Sequence, residues 1–197
     1  MIKVGVTGGI GSGKSVVCKI FEALQIPVFY ADVEAKEIAV NDLQVVEQIK
    51  QNFGNNIYTP EGTLNRKKLS EMVFNDESKL QVLNQIIHPA VVKAFIEFEI
   101  KNPNAPYIVK EAAILIESGA YKNTDKIIVV TAPLKQRIER VMKRDGVLEQ
   151  EVLQRISKQF PEEKLMPFAH FIIHNEEGAM LLPQVIEIHH SILNELS

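Results

Sequence analysis

Apolar residues gather in five short β-rich runs, at 2–7, 27–30, 106–110, 126–131 and 170–174, with helix-patterned stretches between them. Runs this apolar suit strands buried on both faces. Their alternation with helices predicts a parallel sheet wrapped by helices, the doubly wound α/β class. Between the second and third runs the chain shows no good strand signal over a length too great for one crossover, which predicts a helical insertion.

Within that stretch, Leu43, Val46, Ile49 and Phe53 repeat at helical spacing and stop at Gly54, a plausible C-terminal cap. Two further helices follow, over 65–74 and 77–100. Pro89 is expected to interrupt the second, because it pushes His88 away from helical dihedrals. The breaker Asn-Pro-Asn-Ala-Pro at 102–106 returns the chain to the sheet. After the fourth strand, helix is expected from Pro133 through Gln159, broken near Asp145, with a last helix from about Ala179.

The first run breaks into glycines and ends in Lys-Ser. Gly8, Gly13, Lys14 and Ser15 satisfy the G-x-x-x-x-G-K-[ST] pattern, with a strand before it and a helix after it, the context a P-loop requires. Gly9, Gly11, Ser12, Gly13, Lys14, Ser15 and Val16 are therefore the expected nucleotide-binding residues. Glycine lets the backbone turn its N–H groups toward phosphate oxygens, and the helix start adds unpaired donors and a positive dipole end. Lys14 would bridge the β- and γ-phosphates of ATP, and the Ser15 hydroxyl would ligate Mg²⁺.

Asp32 follows the second strand, where α/β folds place ligand groups. It could act as a general base or serve as the N-cap of the next helix, and spacing leaves both open. Glu111 ends the third strand, and either stands near a metal or forms an exposed charge pair with Lys110. Arg137, Arg140 and Arg144 share one helix face. They could form a lid over the nucleotide or a solvated face paired with Glu139 and Glu149, and the P-loop favours the lid for at least one. The histidines form no plausible metal site, since His170 and His174 lie in a strand-like run that separates them.

Composition narrows the rest. With 197 residues, 46% of them hydrophobic, the chain can build one sizeable core. A net charge of −3 gives no field to gather nucleic acid. The single cysteine, Cys18, excludes a disulfide framework and reads as a small buried residue. No charged-then-apolar leader precedes the first strand and no run of apolar residues is long enough to span a bilayer, so a cytoplasmic protein without membrane contact is expected.

Together these motifs resemble the dephospho-coenzyme A kinases, which use ATP to phosphorylate the ribose 3′-hydroxyl of dephospho-coenzyme A. The resemblance rests on VTGGIGSGKS at 6–15, Asp32, the Gly62, Leu64, Arg66 and Leu69 positions, and His88-Pro89. It continues through Leu115 with Glu117, Arg140, Arg144-Asp145, Arg155 with Gln159, and Asn175. It implies a P-loop nucleoside-triphosphate hydrolase-like three-layer α/β/α fold with a five-stranded parallel sheet. An acceptor-binding helical insertion would lie at about 60–105 and a helical lid at about 134–165.

The resemblance further implies that Asp32 is the general base, with Lys14 and Arg140 also catalytic, and that Arg144 and Asn175 contact ATP. Thr7, Arg66, His88 and Glu117 would lie on the dephospho-coenzyme A side, and the protein would be a monomer or weak homo-oligomer. Four positions depart from the family pattern: Tyr30 for a second acid, Ala113 for a proline, Glu111 for an Asp, and His170 for an Asp. Two other activities fit a P-loop, a nucleoside monophosphate kinase and a GTP-binding switch. The switch is disfavoured because no Asn-Lys-x-Asp motif is present.

Overall fold

The computed structural model describes residues 1–74 and 76–196. Its strands are β1 (Ile2–Thr7), β2 (Val28–Tyr30), β3 (Tyr107–Glu111), β4 (Lys126–Thr131) and β5 (Phe171–His174). The helices are α1 (Lys14–Ala23), α2 (Ala31–Asn41), α3 (Leu43–Phe53), α4 (Arg66–Phe74), α5 (Glu77–Lys101), α6 (Leu134–Asp145), α7 (Glu149–Ile156), α8 (Glu162–Leu165) and α9 (Leu181–Asn194). The five strands form one parallel sheet in the order β2-β3-β1-β4-β5, the expected α/β class. None of the described helices is long and apolar enough to cross a membrane.

The chain divides into two compact units, residues 1–30 with 102–197, and Ala31–Lys101. In the first, β1 lies at the centre of the sheet with its β-branched residues Val4 and Val6 fully buried. They pack with Val17, Cys18 and Phe21 of α1 and with Val185, Ile188 and Ile192 of α9. Because every strand runs the same way, all five C-terminal ends share one edge of the sheet, and the glycine-rich loop leaves β1 at that edge.

Helix α1 stops through a Schellman arrangement, in which Gln25 N donates to Glu22 O and Ile26 N to Phe21 O. Lys110 overturns one expectation. It is 1% exposed in the middle of the sheet, in register with Gly5 and Phe29, so it is no member of an exposed charge pair.

The second unit is helical and runs from Ala31 to Lys101, so it holds α2, α3, α4 and α5. Asp42 caps α3, accepting from Gln44 N and Val45 N, and Gly54 ends the helix with φ 92°. The cap places Leu43 at the first helical position, where it is 84% exposed. The buried stripe is instead Val45, Ile49 and Phe53, at i, i+4 and i+8.

Helix α5 runs unbroken through Pro89, against the expected interruption. An internal proline costs about 3 kcal/mol in an isolated helix. Burial of Ile86, Val91 and Phe95 on both sides of it keeps the rod intact.

Candidate active site

The glycine-rich loop takes its shape from donors supplied by α6 and by the residue that follows β5. Arg137 Nε donates to Ile10 O (2.9 Å), Arg140 Nη1 to Gly11 O (3.4 Å) and Asn175 Nδ2 to Ser12 O (2.7 Å). With these three carbonyls drawn outward, trans peptide geometry turns the N–H groups of Gly11, Ser12 and Gly13 inward. Ser12 N closes on Gly9 O at 3.0 Å. Lys14 Nζ donates to Gly8 O (2.9 Å) and Gly9 O (3.5 Å), which places the ammonium inside the loop. The arrangement is an amide nest with a cation in it, the chemistry that binds a polyphosphate.

The glycines are needed for this packing as much as for approach to phosphate. A Cβ on Gly9 would lie 2.0 Å from Arg137 Nη2, and one on Gly11 would lie 2.5 Å from the Arg137 carbonyl oxygen. Gly13, with φ 100°, caps α1 and would set a Cβ 2.0 Å from Asn175 Nδ2. Thus Gly9 and Gly11 carry the footprint of α6, and Gly13 that of Asn175. Ser15 and Val16 follow as the second and third residues of α1, both exposed.

The three arginines divide. Arg137 and Arg140 hold the loop, and Arg140 Nη2 also donates to Gln136 Oε1 (3.2 Å) and Asn175 O (3.0 Å). Burial draws the Arg137 guanidinium below its ordinary value, opposed by the charge of Glu162, and leaves it a cation. Arg144 instead pairs with Asp145 (2.7 Å), which also takes Arg155 (2.7 Å); the expected partners Glu139 and Glu149 do not hold it. Those two arginines hold the Asp145 carboxyl down at about 2.

A cavity of about 530 Å³ opens at the C-terminal ends of β4 and β5, lined by Thr131, Pro133, Arg137, Glu162, His174 and Asn175. Its size suits a nucleoside. His174 bonds Thr131 Oγ1 through Nδ1 (3.1 Å), and His170 Nδ1 accepts from Ile127 N (3.2 Å), so both rings serve the sheet edge.

The remaining site candidates sit as follows. Thr7 ends β1 fully buried, and its Oγ1, like Ser12 Oγ, is buried without a hydrogen-bond partner. Glu117 Oε1 accepts from Phe160 N (2.9 Å), while its Oε2 is buried and unpaired. Burial and the charge of Glu111 push the Cys18 thiol far up, so it stays protonated.

In the helical unit Asp32 is the second residue of α2, since the helix already starts at Ala31; it is not the N-cap. Arg66 opens α4 and is exposed. His88 lines a second cavity of about 560 Å³ with Gln81, Asn84, Gln85, Pro89 and Val92.

Two contacts to the loop are not expected from the sequence: that of Arg137, read there only as a lid or solvated-face candidate, and that of Gln159, which carries the resemblance without a role. Gln159 Oε1 accepts from Ile10 N at 2.7 Å. The expected helix through Gln159 ends at Ile156, where Ser157 Oγ turns back to Gln154 O (2.9 Å), and this frees Gln159 to reach the loop.

The family model described as CoaE, Dephospho-CoA kinase, matches residues 2–180. A dephospho-CoA kinase of Chlorobium chlorochromatii (strain CaD3) is 42% identical over 178 residues, covering 87% of this chain and 84% of the relative. A solved Thermus thermophilus protein superposes with a TM-score of 0.84 at 32% identity, covering 100% of this chain and 98% of its own. The dephospho-CoA kinase from Campylobacter jejuni does so with a TM-score of 0.72 at 27% identity, covering 99% and 98%. With an amide nest built around Lys14 and similarity that spans nearly the whole sequence, this chain belongs to the dephospho-CoA kinase family.

Proposed function

We propose that this chain transfers the γ-phosphoryl group of ATP to the ribose 3′-hydroxyl of dephospho-coenzyme A, giving coenzyme A. Membership of the family over residues 2–180 carries the reading. The nest supports it chemically, because phosphoryl transfer asks mainly for alignment and for positive charge on the equatorial oxygens.

In this reading Lys14 and the inward N–H groups of Gly11 and Gly13 hold the polyphosphate, and Arg140 and Arg144 add charge from α6. The base and ribose of ATP occupy the cavity beside Asn175. Asp32 takes the proton of the acceptor hydroxyl. The Ala31–Lys101 unit, with Arg66 and His88, serves dephospho-coenzyme A, and Thr7 and Glu117 border the same substrate. The helices over 134–165 act as the lid, keeping water from competing as acceptor.

Mg²⁺ fits the donor set. Ser15 offers a hydroxyl at the mouth of the loop, and among the described residues no group of three metal-binding side chains forms a cage. Magnesium prefers this, taking one or two protein oxygens plus phosphate oxygens. When bound it would supply further charge neutralisation on the transferred group.

The decisive test is mass spectrometry of the product after incubation with ATP, Mg²⁺ and dephospho-coenzyme A. One added phosphoryl group on the ribose is expected. Phosphorylation of nucleoside monophosphates in its place would overturn the assignment.

A further inference from the structure

The turn after α7 reaches the loop at the Gly9–Ile10 peptide, whose carbonyl is one of two that Lys14 meets. Gln159 Oε1 takes Ile10 N–H at 2.7 Å while its Nε2 donates to Ala113 O at 3.0 Å. Phe160, next in sequence, is held by Glu117 through its own N–H at 2.9 Å. The turn is thus fastened both to the loop and to the segment that follows β3.

The N–H of Ile10 and the C=O of Gly9 belong to one planar unit and point in opposite directions. Drawing Ile10 N–H outward therefore aims Gly9 O inward, where it meets Ser12 N (3.0 Å) and Lys14 Nζ (3.5 Å). At the neighbouring peptides the sense is reversed, with carbonyls outward onto Arg137, Arg140 and Asn175. The Gly9–Ile10 unit is where the loop switches sense, and Gln159 supplies the acceptor that makes the switch. Its side chain must accept toward Ile10 and donate toward Ala113 at once, which an amide does and a carboxylate or an ammonium does not.

We propose that Gln159 is a positioning residue for phosphate binding: through the Gly9–Ile10 peptide it aims one of the two carbonyls that receive Lys14, the other being Gly8 O, with Glu117 fixing the turn that carries it. The proposal rests on the loop being the nucleotide site, and is independent of which alcohol accepts the phosphoryl group.

The test is competition binding of ATP, ADP and AMP to Gln159→Met and to Glu117→Ala, without acceptor, alongside the thermal midpoint of each variant. Gln159→Met keeps the side-chain length and loses both hydrogen bonds, so the affinities for ATP and ADP should fall about tenfold and that for AMP by less than about threefold. Glu117→Ala should show the same grading with a smaller loss. Equal losses for all three nucleotides would mean that both residues support the fold alone, and unchanged ATP affinity in both variants would likewise overturn the proposal. Should Gln159→Met not fold, the grading in Glu117→Ala decides.

Discussion

Asn175 Nδ2 lies 2.7 Å from the carbonyl oxygen of Ser12, a bond that joins the end of β5 to a loop 163 residues earlier. The same nitrogen would clash with any Cβ on Gly13, so side chain and glycine have to be read together. Asn175→Asp removes the donor and sets a carboxylate against a carbonyl oxygen, beside the expected polyphosphate. Its affinity for ATP should fall tenfold or more, whereas Asn175→Ala should lose only about two- to tenfold. Nucleotide titration of both variants checks this. An aspartate variant that binds ATP as tightly as the parent would show that the Ser12 carbonyl is held by other means.

Asp32 sits inside the first turn of α2, and the capping role that its position after a strand allowed is taken from it by the earlier helix start at Ala31. The general-base role proposed for Asp32 is tested by removing its charge. Asp32→Asn should leave ATP affinity within about twofold and lower turnover by about 10²- to 10⁴-fold. Steady-state kinetics with both substrates separates the two effects, and a fully active Asn variant would exclude Asp32 as the base.

The P-loop was legible because its requirements are local: four fixed residue types between an apolar run and a helix. The strands were legible because a parallel sheet buried on both faces needs continuous apolar runs. What escaped depends on partners distant in sequence. Arg137 and Gln159 meet Ile10 across 127 and 149 residues, and no periodicity reports such a bond.

Lys110 misled because a charged residue within a strand suggests exposure, whereas the sheet around it buries it. Pro89 misled because the local cost of an internal proline is real, yet tertiary burial on either side exceeds it. At α3 the apolar spacing admitted two faces, and the Asp42 cap selected the one without Leu43.

His189 offers a pH-dependent test of the α9 interface. Its Nδ1 lies 2.7 Å from the hydroxyl oxygen of the fully buried Tyr107, a hydrogen bond that the neutral ring makes. Burial first, and then the charge of His190, hold His189 below its ordinary value. Between the folded and unfolded values the unfolded chain binds more protons. The contribution is therefore complete above the unfolded value, about 6.5, and is lost as pH falls through the folded one. Urea midpoints should drop from pH 7.5 to pH 5 with a slope from this group of at most about 1.4 kcal/mol per pH unit. His189→Gln should show a shallower drop, and parallel curves would place the pH dependence elsewhere.

Gln25 is the one described residue other than glycine with a positive φ, 61°, at the turn that ends α1. The turn is held by Gln25 N to Glu22 O and Ile26 N to Phe21 O, and it delivers Ile26 into the core beside Phe21. An L side chain in the left-handed region costs about 1–2 kcal/mol. Glycine escapes that cost but gives the unfolded chain more freedom, worth about 0.4–1 kcal/mol. The side chain of Gln25 is exposed, so little packing is lost with it. Gln25→Gly should therefore stabilise the protein by roughly 0.5–1 kcal/mol, raising the thermal midpoint by about 1–4 °C. Gln25→Val, β-branched at the same dihedral, should lower it. If the glycine variant melts earlier than the parent, the dihedral is not what limits this turn, and the anchoring of Ile26 against Phe21 sets its stability.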